Sequence, residues 1–408
     1  VVAAGIATLI LRPRGGLIEP AAVDATAYFS QAQIDRAADF RGTQRLIGLG
    51  SLAVSGATLA VLALRPPAPL WRLLGRRWRR PIVAAAVVGA GISLILVATG
   101  LPLSLWAHER AVSAGLSTQS LAFWLADVGR SAAIGALFAA AGGAVAIALL
   151  RRLGERWWIA AAGVVIAFAA GTVYLSPIVI DPIFNRFEAL PRGELRSDVL
   201  RLADRAGVEV GEVYRIDASR RTTAVNAYVA GLGPTKRVVL YDTLLEDFSA
   251  AQVRSVVAHE LAHQANHDLP RGLLWVAIVA PAATLLVQRG GARLGARGPL
   301  AGGADAAGGE GARAAGPAAL PALALAVGLV SLALSCAGNI VSRGVEARAD
   351  AFALRLTGEP RPFIDLARNL ARRNLADPEP PAVLHALFGT HPTTVERIGF
   401  GVAYARDR

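Results

Sequence analysis

The sequence predicts a mainly α-helical, polytopic membrane fold with about seven transmembrane helices and one small α+β portion facing water. Three observations carry this. Of the 408 residues, 54% are hydrophobic and only 18% charged, and the mean hydropathy is +0.46; soluble domains carry about 25% charged residues. The apolar excess falls in blocks of about 17–25 residues, the length that crosses hydrocarbon. Arginine supplies all but one of the 42 basic residues, the exception being Lys236, and it clusters beside those blocks, as positively charged membrane loops do.

The elements follow in order. Residues 1–11 read as the tail of a truncated first membrane helix, since no Met opens the chain and no small-residue cleavage site follows. Residues 18–45 carry charges at helical spacing and read as an amphipathic connector. Four long apolar segments come next, at 46–64, 82–101, 132–150 and 157–178, with Trp71, Trp78, Trp106, Trp157 and Trp158 at their edges. Residues 179–271 change texture. A charged helix at 193–206 precedes short β-rich runs at 213–216, 224–230 and 238–241, and residues 249–267 form a helix with Ser249 as cap. Two more apolar blocks, 272–286 and 321–341, flank a Gly/Ala/Arg stretch at 289–319 that reads as a flexible loop. Residues 342–408 are polar and helical, with a break at 377–381. The division is therefore 1–178 and 272–341 in the membrane, 179–271 and 342–408 outside it. Cys336, the one cysteine, lies in an apolar run and excludes a disulfide scaffold. A net charge of +12 without an aromatic-interleaved basic stripe excludes nucleic acid as the partner.

The chemistry centres on His259-Glu260-Leu261-Ala262-His263. Positions i and i+4 share one helix face about 6 Å apart along the axis, so both imidazoles reach one ion, and Glu260 beside them can take a proton from water. His267 continues the series but lies about 12 Å from His259 along a continuous helix, too far to share the ion. A hydrolytic zinc site needs a third protein ligand and an open position. Glu346 and Asp350, again i and i+4, offer the third ligand and a carboxylate to orient a ligand imidazole.

These residues resemble a family. The His259–His263 motif, the run from Glu346 through Asp350 to Ala353, Asn226-Ala227-Tyr228, and His391-Pro392 followed by Glu396-Arg397 occur in the order seen in CAAX prenyl endopeptidases, integral-membrane zinc proteases of the gluzincin type. The resemblance implies a gluzincin-like domain and one Zn2+ on His259, His263 and Glu346. It implies Glu260 as general base and acid, and His391 as donor to the oxyanion. Asn226, Ala227 and Tyr228 become an edge strand on which substrate is laid, and Arg397 an anchor for the His-Pro element or the substrate terminus. The chain departs from the family at Gln264, where an aromatic is usual, and at Thr393, where a second proline is usual.

The expected activity is thus a membrane zinc metalloendopeptidase whose partners are the bilayer and a peptide or membrane-protein substrate, lipidated or not. Quality control of membrane proteins without prenyl specificity is the alternative. A transporter or scaffold is disfavoured, because the apolar segments are almost free of charge. Arginine-rich loops at 65–80, 151–156 and 289–313 predict that the catalytic part faces outward from the cell membrane.

Overall fold

The structure, a computed structural model, describes residues 2–74, 78–231, 236–297 and 316–408. Helix α1 (Val2–Leu11) is only about 15 Å long at 1.5 Å per residue and packs Ala4 and Ala7 against Val279. Helix α2 (Gln31–Leu64) starts earlier than expected. Ser30 and Gln33 form a reciprocal capping box, so residues 31–45, read from sequence as part of a connector, are the water-side extension of the membrane helix. That extension is fastened by Arg45 to Asp377 at 2.8 Å and by Arg41 to the carbonyls of Asn374 and Leu375.

Helices α3 (Pro81–Ser113) and α4 (Leu121–Leu153) form an antiparallel pair at close range. A Cβ on Gly143 would lie 2.7 Å from the Ala85 carbonyl oxygen, and one on Gly89 would overlap the Ala139 carbonyl. Gly154, with φ +53°, turns the chain into α5 (Trp157–Val179). Helix α5 returns along α8 (Asp268–Arg297), where the Thr284 hydroxyl donates to the Trp158 carbonyl at 2.9 Å. Trp157, Val287, Leu320 and Leu323 close this end of the bundle. At the opposite end Ser117 pairs with Thr222, which joins the bundle to the water-facing part.

Among the described residues, five helical segments are long and apolar enough to cross a membrane: Gln31–Leu64, Pro81–Ser113, Leu121–Phe184, Asp268–Arg297 and Pro317–Thr357. The sequence count of seven differs for two physical reasons. Helix α1 is too short to qualify, and Leu121–Phe184 is one apolar segment that Gly154 folds into two antiparallel helices. Of the expected loop at 289–319, residues 289–297 belong to α8 and 317–319 form a single 3-10 turn; residues 298–315 lie outside the described residues.

The water-facing part is built on a four-stranded sheet of order β1-β2-β4-β3, with β1 Phe187–Ala189, β2 Glu212–Ile216, β3 Ala227–Ala230 and β4 Arg237–Tyr241. The β2–β4 pair is parallel, the others antiparallel, and β3 is left at an edge. Helix α6 (Glu194–Arg205) and helix α7 (Ala250–Ala265) share a core with the sheet through Val199, Val213, Val238, Leu240, Val257 and Leu261. Helix α9 (Leu320–Thr357) is a single 38-residue rod. Composition turns polar at 341/342, yet the helix runs through without a break. Helix α10 (Pro360–Arg373) and helix α11 (Thr394–Arg406) complete the fold; between them Leu375 adopts φ +46° next to the expected break.

Candidate metal centre

Helix α7 is fixed at its start and along one face. Ser249 and Gln252 cap it reciprocally, and Val253, Val257, Ala258, Leu261 and Ala262 are buried. With that face committed to the core, His259 and His263 turn together toward α9, their ring centroids 5.0 Å apart. Glu346, near the middle of the α9 rod's polar half, meets them. His259 Nε2 lies 3.0 Å from Glu346 Oε2, and His263 Nε2 lies 3.8 Å from Glu346 Oε1. One ligand atom from each of the three residues lies within 4.8 Å of the other two.

Both imidazoles are held from behind. His259 Nδ1 is 2.8 Å from Asp350 Oδ1, and His263 Nδ1 is 3.0 Å from Asp268 Oδ2. An ionised carboxylate only accepts hydrogen bonds, so each Nδ1 carries the proton and each neutral ring turns an Nε2 lone pair to the front. Two lone pairs then converge on the Glu346 carboxylate. Acceptors facing acceptors demand a positive species between them, either a proton or a cation. A proton answers that demand at His259, whose pKa is pushed up to about 10: burial opposes the charge, but the hydrogen bonds of Asp350 and Glu346 outweigh it. A divalent ion answers the same demand at all three groups at once, so the donor set fits a metal.

Glu260 is adjacent and its pKa is raised. Burial is the main cause and Glu346 adds to it, while His259 and His263 oppose. At the rim, His391 Nε2 lies 3.2 Å from Glu346 Oε2 and its side chain is 56% exposed. Thr390 Oγ1 contacts its Nδ1 at 2.8 Å, and His385 Nε2 lies 2.9 Å from the His391 carbonyl oxygen.

Other expected site residues fall where follows. Asp350 is fully buried behind His259. Arg397, expected at the His-Pro element or the substrate terminus, forks onto Asp350, with Nε to Oδ2 at 2.8 Å and Nη2 to Oδ1 at 2.7 Å, a charge-assisted, bidentate pair. Ala227 and Tyr228 lie on the edge strand β3, and exposed Asn226 immediately precedes it. The Tyr228 hydroxyl donates to Asp181 Oδ2 at 3.1 Å, and burial together with that carboxylate raises its pKa. Gln264, the departure from the family aromatic, donates to the Val229 carbonyl at 3.4 Å and so ties β3 to the metal helix. Sequence reasoning missed Asp268. Its signal was a carboxylate five residues past His263, visible only to a reader who expected the chain to turn back there.

The fold and the site together define a multi-pass membrane metallopeptidase. Residues 189–400 match the family model of peptidase family M48, and residues 20–186 match that of the CAAX prenyl protease N-terminal region, five membrane helices. The chain is 30% identical over 317 residues to the uncharacterized metalloprotease YhfN of Bacillus subtilis, covering 75% of this chain and 70% of that one. It is 29% identical over 314 residues to CAAX prenyl protease 1 homolog of Oryza sativa, covering 76% and 71%. It is also 33% identical over 184 residues to CAAX prenyl protease 1 of Saccharomyces cerevisiae, covering 43% and 40%. The crystal structure of S. mikatae Ste24p shares the fold with a TM-score of 0.69 at 20% identity, covering 91% of this chain and 89% of that one. The chain belongs to peptidase family M48, within the CAAX prenyl endopeptidases.

Proposed function

We propose that the protein is a zinc endopeptidase of the cell membrane that hydrolyses membrane-associated, CAAX-type lipidated peptides. One observation carries the reading: His259, His263 and Glu346 converge beside Glu260, and the helix that carries the two histidines is fastened to the edge strand β3. Two imidazoles and a carboxylate are a hydrolytic zinc donor set with one position left for water. The bound ion would supply Lewis acidity toward water and the scissile carbonyl.

The remaining steps belong to the chain. Glu260 takes the proton of the attacking water and hands it to the leaving amine; its raised pKa favours the first of these transfers. His391, at the rim, donates to the oxyanion developing on the substrate carbonyl. Asp350 fixes the His259 tautomer and Arg397 fixes Asp350. Asn226, Ala227 and Tyr228 bind the peptide as an added strand.

In the bilayer, residues 1–178 and 272–341 form the membrane part, and 179–271 with 342–408 the catalytic part of gluzincin type. Six crossings result when Leu121–Phe184 is counted twice, and α1 packs beside them as the seventh apolar segment. Arg65, Arg72, Arg79, Arg80, Arg151, Arg152 and Arg156 stand at the end of the bundle away from the metal centre, which favours an outward-facing site. Reporter fusions after Arg152 and after Arg192 test this, and a cytoplasmic signal at the second rejects it.

The activity test uses the full chain in liposomes with a farnesylated CAAX peptide. Wild type cleaves it, and Glu260→Gln retains one zinc while losing about 10²–10⁴ in rate. Undiminished cleavage by Glu260→Gln removes the assigned base. Equal rates on the same peptide without its prenyl group transfer the protein to general membrane-protein quality control.

A further inference from the structure

The two metal-facing imidazoles are supported in a matching way, and only one of the supports belongs to the motif pattern. Behind His259 stands Asp350, gripped in turn by Arg397. Behind His263 stands Asp268, gripped in turn by Arg348. Each arm is imidazole, carboxylate, guanidinium. Asp268 and Arg348 have side-chain exposures of 8% and 12%, so the second arm is nearly as secluded as the first.

The second arm depends on a turn in the backbone. Helix α7 ends at Ala265, and His267 adopts φ +54°, a left-handed conformation that glycine takes without strain and other residues seldom take. The chain leaves α7 through that residue, and Asp268, the first residue of α8, lies against His263 Nδ1. Its position at a helix start also suits a negative charge. Strain held at a single residue beside a reacting centre is characteristic of positions kept for geometry. The turn thereby gives His267 a part that its side chain does not play.

Arg348 completes the arrangement from α9. It lies two residues from Glu346 and two from Asp350, so one helix carries the third metal donor, the support of one imidazole and the outer member of the support of the other.

We propose that Asp268 and Arg348 are positioning residues for the metal site: they hold His263 in the tautomer and orientation that place its Nε2 on the ion, and the left-handed backbone at His267 delivers Asp268 to that task. The inference rests on the metal reading above. It goes beyond it by assigning a second support that is separable from the ligands themselves.

Zinc affinity of the purified full chain, measured by chelator competition, is the readout, together with the visible spectrum of the cobalt-substituted protein. Wild type that binds no zinc defeats the metal reading itself, independently of this proposal. With wild type binding one ion, Asp268→Asn is expected to weaken zinc by about 10–100-fold and to alter the cobalt spectrum. Because Asp268→Asn leaves Arg348 without its partner, the decisive variant is Asp268→Asn/Arg348→Met, which removes both charges. It is expected to regain the wild-type unfolding midpoint in the metal-free state while its zinc affinity stays low. Wild-type affinity and spectrum in that double variant overturn the positioning role and reduce the pair to a structural tie. His267→Gly is expected to keep wild-type affinity; a tenfold loss there shows that the imidazole rather than the backbone matters, and the turn drops out of the proposal.

Discussion

Two regions of this chain use apolar side chains in opposite ways. In helix α7 they point inward: Val257, Ala258, Leu261 and Ala262 are completely buried. In the segment Leu121–Phe184 only 11% of the most apolar window is buried, and Leu137, Phe168, Leu175 and Ile178 are more than half exposed. A water-soluble protein does not leave so much aliphatic and aromatic surface uncovered. Lipid is the solvent of the second region, whereas in the first the packed face fixes the helix phase that brings two imidazoles to one point. Hydrophobicity alone therefore does not reveal which residues hold the site in place.

That contrast can be broken from its strongest point downward. Asp350→Ala leaves the Arg397 guanidinium buried without its carboxylate, and is expected to destabilise the water-facing part by about 3–5 kcal/mol. Denaturant unfolding monitored on that part checks it; a loss near zero means the guanidinium finds water instead. Leu261→Ala opens a hole in the packed face and is expected to lose about 2–5 kcal/mol, with zinc affinity falling as α7 loosens. A loss confined to affinity, with stability unchanged, contradicts the packing role.

Within the bundle, contact between helices rather than exclusion from water decides the outcome. Gly89→Val brings a side chain against the Ala139 carbonyl and is expected to cost about 1–3 kcal/mol as α3 and α4 separate; cysteine cross-linking across the pair reads the separation. Leu137→Ala, on the lipid side with 69% exposure, is expected to move the unfolding midpoint in liposomes by less than about 0.5 kcal/mol equivalent. If Leu137→Ala matches Leu261→Ala, the two regions do not differ in the way described.

Much of this was legible before any coordinates. The His259–His263 spacing, the Glu346–Asp350 spacing and the apolar blocks follow from helical period, which is local. What escaped depended on distant or backbone-level facts. Arg397 reaches Asp350 across 47 residues, and no spacing rule links a residue after His-Pro to a carboxylate on another helix. Asp268 was hidden behind a histidine in a left-handed conformation, where glycine is the readable signal. The early start of α2 was masked because Asp35, Arg36 and Asp39 look like connector residues; the Ser30–Gln33 capping box marks the true start. Composition also suggested a boundary at 341/342, but helix formation depends on backbone continuity, and alanine, glutamate and arginine carry it through.

That continuity has a mechanical consequence. Helix α9 is about 57 Å long by its rise, nearly twice the depth of a hydrocarbon core, with its upper half bearing Glu346. A stiff lever anchored in fluid at one end moves its far end whenever the anchor tilts, and tilt answers to the thickness of the surrounding bilayer. Hydrolysis in vesicles of graded acyl-chain length should therefore pass through an optimum, with zinc retained on either side of it.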